Sequence, residues 1–302
     1  MFAKIKQLTY LASWFIKARF FGKKKPLQSV IFICDLCNLT CKHCSVYQLK
    51  NPRVKSYEQI REELEYCYRE GSRFVDFEGG EPTIWRDNGK TIDDLIDLAK
   101  EIGFFSCTIT TNAQRDFSGS HADSIWVSLD GKGSYHEAVR GKGTFQKLEE
   151  NIAKCGHKAL SVNMAINTLN HEAVAETIEY VKQNPHIKSI SLNFHTPFKG
   201  TEELALDMER RSEIIDLIID YKRKGYPIMN SIPGLKKMKA LDFKPQCWVT
   251  NFIFSDGTRT PQCIGYDQGV CDRCGFCMAG EMHCVFNFHP GTIIAGMKLR
   301  LQ

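Results

Sequence analysis

The stretch "SVIFICDLCNLTCKHC", Ser29 to Cys44, runs an apolar strand straight into a loop that holds four cysteines. The residues "SVIFIC" (29–34) read as a buried β-strand. Cys37, Cys41 and Cys44 then have the spacing C-x3-C-x2-C. Three thiolates so closely spaced on a loop leaving a strand suit three irons of a [4Fe–4S] cube. The fourth iron is left without a protein ligand, and an iron with open coordination can bind a small molecule. A zinc site would want a fourth ligand, for which His43 is the neighbour at hand. Cys34 falls outside the spacing and reads as a core thiol of the strand.

Outward from that strand, β and α patterns alternate. "SYEQIREELEYCYREG" (56–71) opens with Ser56 and Gln59 in capping-box register and closes on Gly71. "TIDDLIDLAKEIG" (91–103) repeats that pattern. "TFQKLEENIAKCG" (144–156), "HEAVAETIEYVKQN" (171–184) and "ERRSEIIDLIIDYKRKG" (209–225) read as further helices. Between them lie strands at 73–82, 105–112, 124–131, 159–167 and 188–195. Six strands alternating with helices predict an α/β fold, a parallel sheet closed into a partial (β/α)6 TIM-like barrel. Such barrels carry their sites at the carboxyl ends of the strands. The unusual residues fall there: the cysteines after the first strand, "GGEP" (79–82) after the second, "TTN" after the third and "SLDG" after the fourth.

Composition fits a globular chain: of 302 residues, 43% are hydrophobic and 25% charged. The 13 cysteines are clustered, four in 34–44 and six in 247–284, with Cys67, Cys107 and Cys155 scattered. No cleavable signal is evident, and the uncharged run Gln7–Ile16 falls short of the ~20 residues that span a bilayer. A reducing cytoplasm is therefore expected, where clustered thiols point to metal rather than disulfides. The net charge of +5 is local. Residues 1–25 carry seven bases and no acid, leaving 33 bases against 35 acids elsewhere. A body so balanced is not expected to bind nucleic acid. Residues 1–27 form a basic amphipathic segment, with Ile5, Leu8, Leu11 and Phe15 expected on one helical face. Its aromatics and bases suit either a helix lying in an anionic membrane surface or one packed on the body.

"CNLTCKHC" followed by "FEGGEP" resembles the radical S-adenosylmethionine (radical SAM) superfamily. The resemblance covers residues 28–235, through "TTNA" (110–113), "VSLDG" (127–131), "H-x3-RG" (136–141) and "INTLN" (166–170). It implies that Cys37, Cys41 and Cys44 hold a [4Fe–4S] cluster and that SAM chelates the open iron. An electron from an external reductant, such as flavodoxin or ferredoxin, would then cleave SAM to a 5′-deoxyadenosyl radical. By the same resemblance, Gly79, Gly80, Glu81 and Pro82 receive the methionine ammonium. Ser128 and Arg140 contact its carboxylate or the ribose, and Asn112 and Asn167 supply further polar contacts. A turn or cap role is the alternative for each of these. His136 reads as a surface histidine without a role.

Residues 236–302 read as a small cysteine-rich domain. Cys247 and Cys263 flank a β-hairpin with Asp256–Gly257 at its turn, and Cys271, Cys274, Cys277 and Cys284 follow. A tail so poor in strands is expected to be organised by metal. The pattern resembles the auxiliary-cluster domains called twitch and SPASM, implying one auxiliary [4Fe–4S] cluster. Its ligands would be Cys247, Cys263 and two of Cys271, Cys274 and Cys277, with Cys284 last in order. A structural zinc ribbon is the alternative.

For the substrate, the basic aromatic N-terminus points to a lipid or isoprenoid, met peripherally at the inner face of the membrane. A loose likeness of the tail to hopanoid-modifying adenosyl transferases points the same way. The other reading is a maturase of a ribosomal peptide or protein, though residues 1–27 are too short for a peptide-binding winged helix. A non-enzymatic iron–sulfur or zinc scaffold is the third. Cobalamin-dependent methyl transfer would normally need another domain and is not expected.

Overall fold

The computed structural model describes residues 2–44 and 51–300. Helix α1 (Phe2–Phe20) precedes strand β1 (Gln28–Cys34). Next come α2 (Tyr57–Glu70), β2 (Phe74–Gly79), α3 (Ile92–Ile102), β3 (Ser106–Thr111) and β4 (Ser124–Ser128). The chain continues through α4 (Ser134–Arg140), α5 (Thr144–Cys155), β5 (Leu160–Ile166), α6 (Val174–Gln183) and β6 (Ile190–Phe194). The last part holds α7 (Met208–Arg223), α8 (Ile232–Ala240), β7 (Thr250–Ile253), β8 (Arg259–Thr260), α9 (Ile264–Asp267), α10 (Met278–Phe286) and α11 (Pro290–Arg300).

The helix boundaries follow local chemistry. At α2, Ser56 Oγ accepts from Gln59 N at 3.2 Å and Gln59 Oε1 accepts from Ser56 N at 2.9 Å. Gly71, at φ 124°, ends that helix. Thr91 and Asp94 form the same box at α3, and Gly103 ends it in the left-handed region.

Strands β1 to β6 are parallel and adjacent in chain order, as the alternation predicts. Their outward residues, among them Ile31, Phe77, Ile109, Val127, Val162 and Leu192, are fully buried in one core with the helices around them. The opposite face carries polar residues: Thr110 Oγ1 donates to Asp76, and Asn193 Nδ2 donates to Asn163 Oδ1 at 2.9 Å.

Residues beyond β6 clasp this sheet at both edges, which the sequence did not foretell. The predicted hairpin forms around Gly257, and its first strand β7 pairs in parallel with β1, Gln28 opposite Thr250. At the far edge, Phe194 N donates to Gly275 O at 2.9 Å and Cys277 N donates to Asn193 Oδ1 at 3.0 Å. Helix α8 runs across residue 235. The tail also has apolar packing of its own, because α10 buries Cys284 and Phe286.

Helix α1 lies on the body with a rotated face. Gln7, Trp14 and Ala18 are buried, while Ile5, placed by sequence on the apolar side, is 51% exposed. The buried stripe packs on Leu27, Phe74, Val249 and Phe286, at or beside the amino ends of β1, β2 and β7 and on α10. Trp14 Nε1 donates to Lys25 O at 2.7 Å, and the Tyr10 hydroxyl donates to Gly71 O. The helix therefore sits at the end of the barrel opposite the cysteine loop. Among the described residues, no helix is long and apolar enough to cross a membrane.

Candidate active site

Cys37, Cys41 and Cys44 leave the carboxyl end of β1 on a loop braced by β2. Gly80 N donates to Cys34 O at 2.7 Å and Glu81 N donates to Leu36 O at 2.8 Å. A Cβ on Gly79 would overlap the Cys34 carbonyl, and one on Gly80 would overlap that of Leu36. The glycines of "GGEP" thus let two backbones touch, before any ligand is considered. Cys34 is fully buried in β1, as expected.

Glu81 spends its carboxylate inside the protein. It accepts from Thr83 N and Oγ1, from Thr111 Oγ1 at 2.6 Å and from Asn112 N at 2.7 Å. The buried Glu81 therefore locks the end of β2 to the end of β3, organising rather than presenting charge. Asn112, held by that lock, places Nδ2 2.8 Å from Asn38 Oδ1 and 3.7 Å from Cys37 Sγ.

A second group approaches from β4. Arg140 Nε donates to Asp130 Oδ2 at 2.6 Å, and its Nη1 lies 3.9 Å from Cys41 Sγ. Asp130 also accepts from Ala165 N at 2.9 Å and lies 3.8 Å from His43 Nε2. Burial opposes ionisation of Asp130, but Arg140, His43 and the Ala165 amide hold its carboxyl below the ordinary carboxylate range. Asp130 is the residue that sequence reasoning missed, although the quoted "SLDG" contains it. His136 is fully buried, not on the surface: its Nδ1 accepts from Asp130 N at 3.1 Å. Asn167 has both ends of its amide engaged, donating to Ala165 O and accepting from Leu169 N. Ser128 ends β4 half-buried, opposite Asn163.

Burial pushes the Cys41 thiol up to about 11, against the pull of Arg140, and raises Cys37 as well. Thiols so disposed deprotonate when a metal displaces the proton. Three thiols within electrostatic reach, with a guanidinium and an amide nitrogen beside two of them, fit an iron–sulfur cube, whose net negative charge such donors stabilise. Among the described residues, no three Cys, His, Asp or Glu side chains converge as tightly as ligands of a single ion do.

The tail cysteines divide. Burial raises the thiols of Cys247, Cys271 and Cys274, and Cys263 lies within electrostatic reach of all three. Cys277 neighbours Cys274 but is buried in the main core, its thiol pushed up to about 12. Cys284 lies on α10 beside Thr292 and Glu281, and is not brought to the group. Arg211 of α7, only 3% exposed, donates from Nη2 to Cys274 O at 2.8 Å, and its Nε is buried without a partner. A buried orphan cation beside thiols fits an anionic thiolate-bound group there.

The radical SAM superfamily model matches residues 31–181. Mycofactocin maturase MftC of Mycolicibacterium smegmatis is 28% identical over 149 residues, covering 46% of this chain and 38% of that protein. A probable GTP 3',8-cyclase of Methanocella arvoryzae is 25% identical over 195 residues, covering 62% and 64%. The chain thus spans less than two thirds of the length of either curated relative. The solved structure of Streptococcus suis SuiB bound to S-adenosylmethionine superposes with a TM-score of 0.63 at 19% identity, over 87% of this chain and 66% of that one. At that identity the likeness is one of fold. The family match covers half of the sequence, including the cysteine loop, the glycine brace and the Asp130–Arg140 pair, and the chain belongs to the radical SAM superfamily.

Proposed function

We propose that this chain cleaves S-adenosylmethionine reductively, generating a 5′-deoxyadenosyl radical that acts on a polar, peptide-like substrate. The observation that carries the first half is the thiol loop at the mouth of the barrel, braced by Gly79 and Gly80 and flanked by Arg140 and Asn112. When bound at Cys37, Cys41 and Cys44, the cluster supplies one electron, drawn from an external reductant, to break the sulfonium–C5′ bond. The Arg140 fork, fixed by Asp130, matches a carboxylate in shape and charge. Ser128, Asn112, Asn167 and the backbone at Gly79–Pro82 complete the proposed SAM contacts.

For the substrate, the lining of the barrel favours the peptide reading over the lipid one. Asp76, Thr110, Asn163 and Asn193 face the interior on one side, and Phe32 and Phe254, 5.2 Å apart, stand on the other. These groups pair with one another, Thr110 with Asp76 and Asn193 with Asn163, and make a polar wall that hydrocarbon would desolvate for no gain, whereas a peptide offers both hydrogen bonds and apolar side chains. The maturase among the relatives, and the solved complex of SuiB with its precursor peptide, lend support to this choice. The membrane reading keeps one observation in its favour. Phe20 and Phe21 are 62% and 69% exposed, with Arg19 and Lys23 beside them. That patch lies at the end of the barrel away from the cysteine loop.

The proposed auxiliary [4Fe–4S] cluster takes Cys247, Cys263, Cys271 and Cys274, leaving Cys277 and Cys284 as core thiols. About eight irons per reconstituted chain supports two cubes, and about four with zinc supports the ribbon. The test of the activity is reconstituted protein with dithionite and SAM, which should yield 5′-deoxyadenosine and methionine. Cys41→Ala should abolish both products; full retention rejects the assignment.

A further inference from the structure

We infer that Arg211 is the counter-cation of the tail cysteine group, a positioning residue whose charge is balanced only when a negatively charged thiolate-bound cluster fills that site. The inference rests on the auxiliary-cluster reading above.

Arg211 lies in the first turn of α7, four residues after the cap Asp207, and its side chain points inward rather than to solvent. Its guanidinium carbon sits 4.8 Å from the centre of the Phe194 ring at the end of β6. Nη2 donates to Met238 O at 3.2 Å and to Cys274 O at 2.8 Å. Those carbonyls bring dipoles, not charge. No carboxylate lies within ion-pair distance among the described residues, and Nε is buried with nothing to donate to. The ionisable neighbours are the core thiol of Cys277 and then Cys274. A permanently charged guanidinium sunk in a core without an anion is among the costliest arrangements a fold can carry. Four thiolates around a [4Fe–4S] core carry a net negative charge in either common oxidation state, which answers the deficit. The guanidinium is anchored on the backbone of Cys274, one of the proposed ligands, so its charge and the cysteine loop are held together.

The consequence is a reversal of sign. In cluster-free protein Arg211 is an uncompensated charge, and Arg211→Met, of similar volume, should raise the melting temperature. In cluster-loaded protein the same variant removes the counter-charge and should lower the melting temperature. It should also shift the reduction potential of the auxiliary cluster downward, because the reduced form carries one more negative charge. Arg211→Lys should keep the potential near that of the unsubstituted protein.

The experiment uses the full chain with Cys37, Cys41 and Cys44 all changed to Ala, so that any remaining iron belongs to the tail. If that protein binds no iron on reconstitution, the auxiliary-cluster reading itself fails. If it retains about four irons, melting is measured with and without the cluster, and the potential is read by an EPR-monitored redox titration. Opposite melting shifts and a lowered potential in Arg211→Met support the inference. Equal destabilisation of both forms, failure of the cluster-free variant to fold, or an unchanged potential overturns it, since each marks Arg211 as a hydrogen-bonding strut alone.

Discussion

Asp130 shows how one buried side chain can assemble a site from four places in the chain. Its carboxylate draws in Arg140 and His43, its second oxygen takes the Ala165 amide, and its own N–H is held by His136. His136 does this as a neutral ring, since burial lowers its pKa from the usual 6.5 to about 3. The unfolded chain therefore takes up a proton on falling below about pH 6.5 that the folded chain refuses. Stability from this group is complete above that pH and drains away as the pH falls toward 3. Between pH 7.5 and pH 5 the loss should be about 2 kcal/mol in cluster-free protein. His136→Asn can keep an acceptor for Asp130 N without the titration, and its urea midpoints at the two pH values should lie closer together. An equal acid loss in the variant would show that His43 and His195, also lowered by burial, carry the whole effect.

Where β2 meets the loop leaving β1, the contact is backbone against backbone. Gly80→Ala forces a Cβ into the Leu36 carbonyl and must displace the segment that carries Cys37. That variant should lose iron from the three-cysteine site, read as iron content and visible absorbance after reconstitution. Gly119→Ala is the control: open space surrounds it, and its φ of 77° costs an alanine only about 1–2 kcal/mol. Full iron in Gly80→Ala would refute the brace. Much of this junction was legible in the sequence, because capping boxes, strand ends and cysteine spacing are local signals. Ser56 with Gln59, and Thr91 with Asp94, announce their helices within four residues. The parallel pairing of β7 with β1 was not legible, since partners more than 200 residues apart leave no periodic trace. Helix α10 was hidden for another reason: Cys277 caps it without a side-chain hydrogen bond, and Gly280, a poor helix former, lies in its first turn. The face of α1 was misjudged because its true stripe runs through Gln7, a polar residue that hydrophobic periodicity passes over.

Across the whole molecule, the barrel separates two chemistries by the length of its strands. Helix α1 closes the amino ends of the sheet through Trp14, while the cysteine loop, Arg140 and the Arg211 site cluster about the carboxyl ends. Six residues of strand at about 3.3 Å each put some 20 Å between them. A bilayer touched by Phe20, Phe21 and the nearby bases would therefore face away from the radical site. Vesicles with anionic lipid should then bind the protein, if at all, without altering its substrate-free cleavage of SAM. Phe20→Ser with Phe21→Ser should reduce vesicle sedimentation and leave the rate of 5′-deoxyadenosine formation unchanged. A marked rise in that rate on adding vesicles, abolished by the double variant, would mean that the membrane reaches the site after all. It would also restore the lipid reading. With no such rise, attachment and catalysis are independent, and the polar interior is left to select a substrate that arrives from water.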